Sequence, residues 1–327
     1  METINLGNNS FINNIPTSIG PLTLLKSLHL HNNKLSNKLP SSLKNCKELV
    51  IIDLSENEFA RSIPSWIWHR LLSLTTLNLC SNNFHGHILK GLCALTSLQI
   101  LDVSHKKLFG SIPRCVKNFS AMATKSNSYL NMDFYPPIYS YGESFPLENA
   151  LLVTKKKILE CSTILQLVKN IDFFKNSLLG EIPEEVTNLQ ELQSLNLSYN
   201  LLIGSIPMNI GTMGSLESID FSMNQLLGQI PSSLTFENHS NLSNNNLIEK
   251  IPLGTLLQSF EASSFIGNKL YGPPLIDNCT TNVVKPNNEN IGSKGTLGLE
   301  VDWFYVSIAL GFVVGFLGVC CPLLLNK

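Results

Sequence analysis

The sequence predicts an α/β solenoid: a curved parallel β-sheet with short helices or 3-10 turns on its convex side, an island insertion, and one C-terminal transmembrane helix. Three observations predict it. A phrase of about 24 residues occurs nine times among the 327. The recurrence is broken once, and an uncharged run of 23 residues, Trp303 to Leu325, closes the chain.

The phrase reads Leu195-Asn196-Leu197-Ser198-Tyr199-Asn200, followed by Leu202, Gly204, Ile206 and Pro207. Its anchoring positions are Asn9, Asn33, Asn57, Asn82, Lys106, Asn176, Asn200, Asn224 and Asn245, spaced 24, 24, 25, 24, 70, 24, 24 and 21 residues apart. Leu-x-Leu-x-x-Asn is the signature of the leucine-rich repeat, whose units each supply one short strand and bury their leucines only by stacking. The asparagine turns inward, where its amide can bond backbone groups of adjacent coils. Lys106 donates but cannot accept, so the ladder is expected to fray there.

The second half of the phrase, Gly-x-Ile-Pro, recurs at Gly110 to Pro113, Gly180 to Pro183, Gly204 to Pro207 and Gly228 to Pro231. Glycine suits a corner with unusual dihedrals and proline ends a short edge strand. Asn13, Asn37, Arg61 and Glu249 stand where that corner glycine is expected. This extended form resembles the plant-specific leucine-rich repeat.

Polar strand residues between the leucines line the concave side. The column Asn5, His29, Asp53, Asn78, Asp102, Asp172, Asn196, Asp220 reads as solvated repeat consensus. His29 and His31 share one strand face; metal binding or pH sensing competes there with an ordinary wet-surface pair, and the latter is the expectation. The candidates for ligand contact are Ser27, His29, His31, Glu56, Thr76, His105, Lys175, Tyr199 and Met223.

Between the repeats an island spans 117–167. It holds four of the seven tyrosines, Tyr129, Tyr135, Tyr139 and Tyr141. A long insertion inside a compact array is expected to be functional or disordered, and its aromatic content argues against disorder. The tyrosines either contact ligand or pack the island onto the solenoid.

The expected organisation is therefore repeats over 1–116, the island, repeats over 168–256, an end cap over 257–281, a linker over 282–302, a membrane helix over 303–325 and a residual tail at 326–327. The run of 23 apolar residues is long enough to cross a bilayer, with Trp303 and Tyr305 at one interface. Ser307, Gly311, Gly315 and Gly318 form a small-residue face for helix association. Cys320 and Cys321 are candidates for acylation.

Cys93 and Cys115 fall at similar points of consecutive repeats and are expected to form a disulfide. Glycosylation acceptor sequences lie at Asn8, Asn118, Asn196, Asn238, Asn241 and Asn278. A net charge of -1 with 14% charged residues leaves no electrostatic footprint for nucleic acid. Catalytic motifs such as Gly-x-Ser-x-Gly, His-Glu-x-x-His or a phosphate-cradling loop are missing from the sequence, and no enzyme activity, cofactor or metal is expected. His85-Gly86-His87 lies at a repeat corner and reads as solvent-exposed filler.

Several runs together resemble the C-terminal part of a plant leucine-rich-repeat receptor-like protein: Ser111 to Cys115 before the island, Thr163 to Asp172 after it, Ser264 to Asn268 at the end cap, and Trp303 to Phe316. The resemblance implies a cell-surface receptor without a kinase domain, at the plasma membrane with its repeats extracellular. Repeats and island would recognise a peptide, protein or glycan. The membrane helix would associate with an adaptor receptor kinase, and the membrane-proximal repeats with a co-receptor kinase. Many such proteins act in pathogen defence and others in development. The chain departs from the family at Lys155-Lys156, Glu160-Cys161 and Leu270-Tyr271-Gly272, and lacks a short basic tail. Met1 opens inside a repeat phrase with no visible signal peptide. A module that inhibits cell-wall enzymes, and a truncated non-functional relic, are the competing readings.

Overall fold

In this computed structural model the described residues are 1–88, 90–124, 150–154, 157–161, 168–234, 239–253 and 256–275, with 150–154 and 157–161 described by backbone alone. Residues 303–325 and most of the island lie outside them. Among the described residues no helix is long and apolar enough to cross a membrane.

One parallel sheet of nine short strands runs through the repeats: Thr3–Asn5, Ser27–His29, Ile51–Asp53, Thr76–Asn78, Ile100–Asp102, Asn170–Asp172, Ser194–Asn196, Ser218–Asp220 and His239–Asn241. The register stacks Leu28, Ile52, Leu77, Leu101, Ile171, Leu195 and Ile219 in one core row. All of these are at most 3% exposed, so each coil closes the core of the one before. The interruption costs the sheet nothing: Leu101 pairs with Ile171 across it in the ordinary parallel register. A hairpin of Ala150–Thr154 against Lys157–Cys161 lies within the insertion.

Residues 117–124 still belong to the solenoid. The 3-10 turn Arg114–Asn118 and the short helix Ser120–Ala123 bury Phe119 and Met122 completely. Met122 carbonyl accepts from Glu191 N–H at 2.8 Å, which ties the segment before the insertion to the repeat after it. Cys93 and Cys115 are joined by a disulfide, with Cα atoms 5.7 Å apart.

The Gly-x-Ile-Pro half of the phrase builds a second, outer parallel sheet of seven strands from Ile12–Asn13 to Leu201–Ile203. Extended prolines, Pro16, Pro40, Pro113 and Pro183, then open the 3-10 turns on the far side. The corner between them demands a left-handed backbone whatever residue is there. Gly180, Gly204 and Gly228 have φ of 78°, 76° and 78°, and Asn13, Asn37, Arg61 and Glu249 are held at 66°, 65°, 80° and 75°. Glycine takes that conformation freely and a residue with Cβ does not.

The anchoring asparagines bind the coils together. Asn57 Nδ2 donates to the carbonyls of Leu30 (2.8 Å), Leu54 (3.2 Å) and Ser55 (3.0 Å), while its Oδ1 accepts from Leu35 N–H at 3.0 Å. The pattern repeats at Asn33, Asn82, Asn176, Asn200, Asn224 and Asn245. Asn268 adds a further rung, bonding Leu242 and Phe265 carbonyls and accepting from Leu247 N–H.

The expected fraying at Lys106 does not occur. Lys106 is 6% exposed, its Nζ donates to Leu79 carbonyl as an asparagine amide would, and it lies 5.2 Å from the Phe84 ring centroid. The long side chain reaches the carbonyl of the preceding coil and the aromatic face shields its charge. What it cannot supply is the acceptor that Asn82 offers Phe59 N–H at 2.9 Å. Burial pulls Lys106 from 10.5 down to about 8, with Cys80 and Asp102 pulling the other way.

Lys106 and Arg61 each have a measurable consequence for stability. Below about pH 8 the folded protein carries the whole cost of the buried ammonium. As pH climbs toward 10.5 the native state loses that proton before the unfolded chain does, so stability should rise, by on the order of 3 kcal/mol. Lys106→Asn should raise stability at pH 7 by roughly 1–3 kcal/mol and remove that alkaline rise in denaturant titrations. Arg61→Gly should add about 1 kcal/mol by relieving the left-handed corner, read as a higher thermal midpoint.

Candidate ligand-binding face

The polar column of the inner sheet is stacked by the same register that stacks the leucines. Asp53, Asn78, Asp102 and Asp172 are at most 3% exposed, so the middle of the expected solvated row is instead buried, while Asn5 is exposed and Asn196 and Asp220 are half-buried. Strands about 4.8 Å apart leave little room between like side chains. The residue two positions on caps each one. Asp53 Oδ1 accepts from Ser55 N–H and Oγ at 3.1 and 2.7 Å, and Asp220 Oδ1 from Ser222 at 3.0 and 2.6 Å. Burial, the largest influence, raises Asp53, Asp102 and Asp172 above the usual carboxylate range.

Four of the expected contact residues fall in this buried layer. Ser27, His29, His31 and Thr76 are 1%, 1%, 8% and 3% exposed, so the histidine pair is not a wet-surface pair. Burial and then His31 pull His29 down to about 4, keeping it neutral at pH 7.

The residue just before each ladder asparagine behaves differently. Glu56, Ser81, His105, Lys175, Tyr199, Met223 and Asn244 all have φ between 50° and 56° and all are exposed. The left-handed turn brings the asparagine inward while its predecessor stays in solvent. Backbone N–H groups of this row still bond the next coil, as Lys175 to Ser198 at 2.9 Å and Tyr199 to Ser222 at 3.0 Å. The main chain of the row is therefore bonded to the next coil while its side chains reach solvent. Five expected contact residues, Glu56, His105, Lys175, Tyr199 and Met223, lie on it.

Across the interruption the row gains an aromatic run. His105 and Phe174 meet edge to face at 4.7 Å, and Phe174 and Tyr199 at 5.2 Å. Burial and the Lys175 charge lower His105, favouring its neutral imidazole. Beyond Tyr199 an open depression of about 540 Å³ is lined by Lys175, Ser177, Tyr199, Leu201, Met223, Gln225 and Asn244. Tyr199 and Leu201 are 47% and 43% exposed. Sequence reasoning missed Phe174 and Leu201, although Leu201 is two residues from Tyr199 and begins an outer strand.

Of the acceptor asparagines, Asn118 is exposed at the end of a 3-10 turn. The Asn196 and Asn241 amides are engaged with Asp172 and Asp220 at 3.2 and 3.3 Å, and the Asn8 amide meets His31 Nε2 at 3.2 Å. Tyr129, Tyr135, Tyr139, Tyr141, Asn238, Asn278, Ser307, Gly311, Gly315 and Gly318 lie outside the described residues.

A family model described as Leucine Rich Repeat matches residues 24–46, 73–95, 191–213 and 215–236. Receptor like protein 22 of Arabidopsis thaliana is 36% identical over 127 residues, which is 37% of this chain and 16% of that protein. The ectodomain of the Arabidopsis thaliana receptor kinase GASSHO1/SCHENGEN3, solved with CASPARIAN STRIP INTEGRITY FACTOR 2, superposes with a TM-score of 0.60 at 30% identity, over 84% of this chain and 31% of that one. The Arabidopsis receptor kinase HAESA, solved with the peptide hormone IDA and the co-receptor SERK1, gives 0.60 at 25% identity, over 83% and 38%. The chain thus spans well under half the length of these proteins. Its repeats are similar to leucine-rich repeats, its curated relatives include plant receptor-like proteins, and the solved structures it superposes on include plant receptor ectodomains as well as a plant ice-binding protein.

Proposed function

We propose that this chain is the repeat-bearing part of a non-enzymatic, single-pass receptor of the plant plasma membrane. Its repeats face outward, hold an extended extracellular peptide along the exposed row, and signal through an associated kinase. One observation carries the reading. Where neighbouring columns are buried and bonded, the row preceding the ladder asparagines is solvent-facing, and it mixes the charge of Lys175, the amphipathic ring of Tyr199 and the apolar Met223. From Lys175 to Asn244 it covers three strand spacings, about 14 Å, or roughly four residues of extended peptide. Peptide hormone and co-receptor complexes among the structural neighbours support the same reading.

The peptide arm is tested with a random displayed-peptide library panned against the purified full chain. Enriched sequences should lose about 30-fold in affinity on Tyr199→Ala combined with Met223→Ala. They should be indifferent to Phe11→Ala, an exposed apolar residue away from the row. Enriched peptides that bind the double variant unchanged would remove the row from the account.

The kinase arm rests on the small-residue face Ser307, Gly311, Gly315 and Gly318. Gly311→Leu with Gly315→Leu should cut co-purification with a membrane receptor kinase at least several-fold while leaving peptide binding intact. Undiminished co-purification would place the contact elsewhere.

A further inference from the structure

His29 ends its strand directly opposite Asp53 in the sheet register, and His31 follows two residues later. One ligand atom from each of the three lies within 4.8 Å of the other two, the one such cluster among the described residues. The residues are 1%, 8% and 0% exposed, and three of their atoms, His29 Nδ1, His31 Nδ1 and Asp53 Oδ2, are buried without a hydrogen-bond partner. The geometry points to a binding site for a borderline divalent transition metal such as Zn²⁺, held by His29, His31 and Asp53.

The remaining polar atoms of the three side chains are already engaged, as outer partners of metal ligands usually are. His29 Nε2 lies 2.7 Å from Ser27 Oγ, His31 Nε2 3.2 Å from Asn8 Nδ2, and Asp53 Oδ1 accepts twice from Ser55. His31 also rests on the backbone of Gly7, where a methyl group would overlap its imidazole. The unengaged atoms are the ones left for a shared ion. His31 Nδ1 and Asp53 Oδ2 are 3.6 Å apart, close to the roughly 3.4 Å that two ligands of a tetrahedral zinc keep. His29 Nδ1, also buried without a partner, is the third.

Two imidazoles and one carboxylate suit zinc or copper, whereas calcium and magnesium require more oxygens than this cluster has. Capture at Nδ1 leaves each ring proton on Nε2. At His29 that proton goes to Ser27 Oγ. At His31 it requires the Asn8 amide to turn and present Oδ1, which now accepts from Asn32 Nδ2 at 2.9 Å, so the two exposed amides turn together. Three protein ligands leave a fourth position open.

Titration of the metal-stripped, tag-free full chain with Co²⁺ and then Zn²⁺ tests the site. One equivalent of Co²⁺ should produce the visible band of a four-coordinate ion, one equivalent of Zn²⁺ should abolish it, and Zn²⁺ should raise the thermal midpoint. His31→Gln and Gly7→Ala should each weaken binding about tenfold or more. His85→Gln combined with His87→Gln should leave it unchanged. If His31→Gln melts early without metal, the isosteric Asp53→Asn provides the same reading. Absence of a stoichiometric band, unaltered affinity in both His31→Gln and Asp53→Asn, or loss of binding in the His85/His87 variant would each overturn the assignment.

Discussion

The asparagine amide at the end of each inner strand is the constraint on which the rest of this structure depends, because it ties the backbone of its own coil to that of the coil before. Leucines supply the larger share of buried area, but apolar contact is non-directional and does not by itself fix how far one coil is rotated on the next. The amide does. Its donors reach carbonyls of two successive coils and its oxygen takes an N–H of the earlier one, as at Asn200 with Phe173, Leu197 and Leu178. Loss of one such side chain would strand several buried backbone groups at once, each at a cost of about 1–3 kcal/mol.

That constraint also explains where this protein can vary. Turning the asparagine inward needs a left-handed residue immediately before it, and seven non-glycine side chains from Glu56 to Asn244 accept that conformation. The bonds on either side hold that conformation for side chains of quite different size and charge. A lysine, a tyrosine and a methionine stand in consecutive coils at one exposed edge. A scaffold of this kind separates the residues that hold the fold from those exposed along its edge, and the proposed receptor reading rests on that separation.

The nine-strand order, the corner conformation and the inward amides were legible because each rests on a repeated local pattern. Asn13, Asn37, Arg61 and Glu249 were recognisable as occupants of a glycine corner from spacing alone, and their positive φ values agree. Burial in the middle of the polar column was not legible. Asp53 and Asp102 look like ordinary surface residues until the register sets them against their neighbours and a serine two residues on. Lys106 misled for a related reason, since a chain reading sees a missing acceptor and not the Leu79 carbonyl and Phe84 ring within its reach. Asn268 went uncounted because its repeat has lost the leucine phrase, leaving only the terminal amide and Phe265 to mark the coil.

Thermal unfolding of Asn200→Asp tests the central claim most directly, because the change keeps shape and acceptor oxygen while removing the donors to Phe173, Leu197 and Ser198. The predicted result at neutral pH is a loss of several kcal/mol, with hydrogen exchange accelerating first in the coils on either side of residue 200. An unfolding midpoint and exchange pattern equal to those of the parent chain would show that leucine packing alone orders the stack, and would contradict the account.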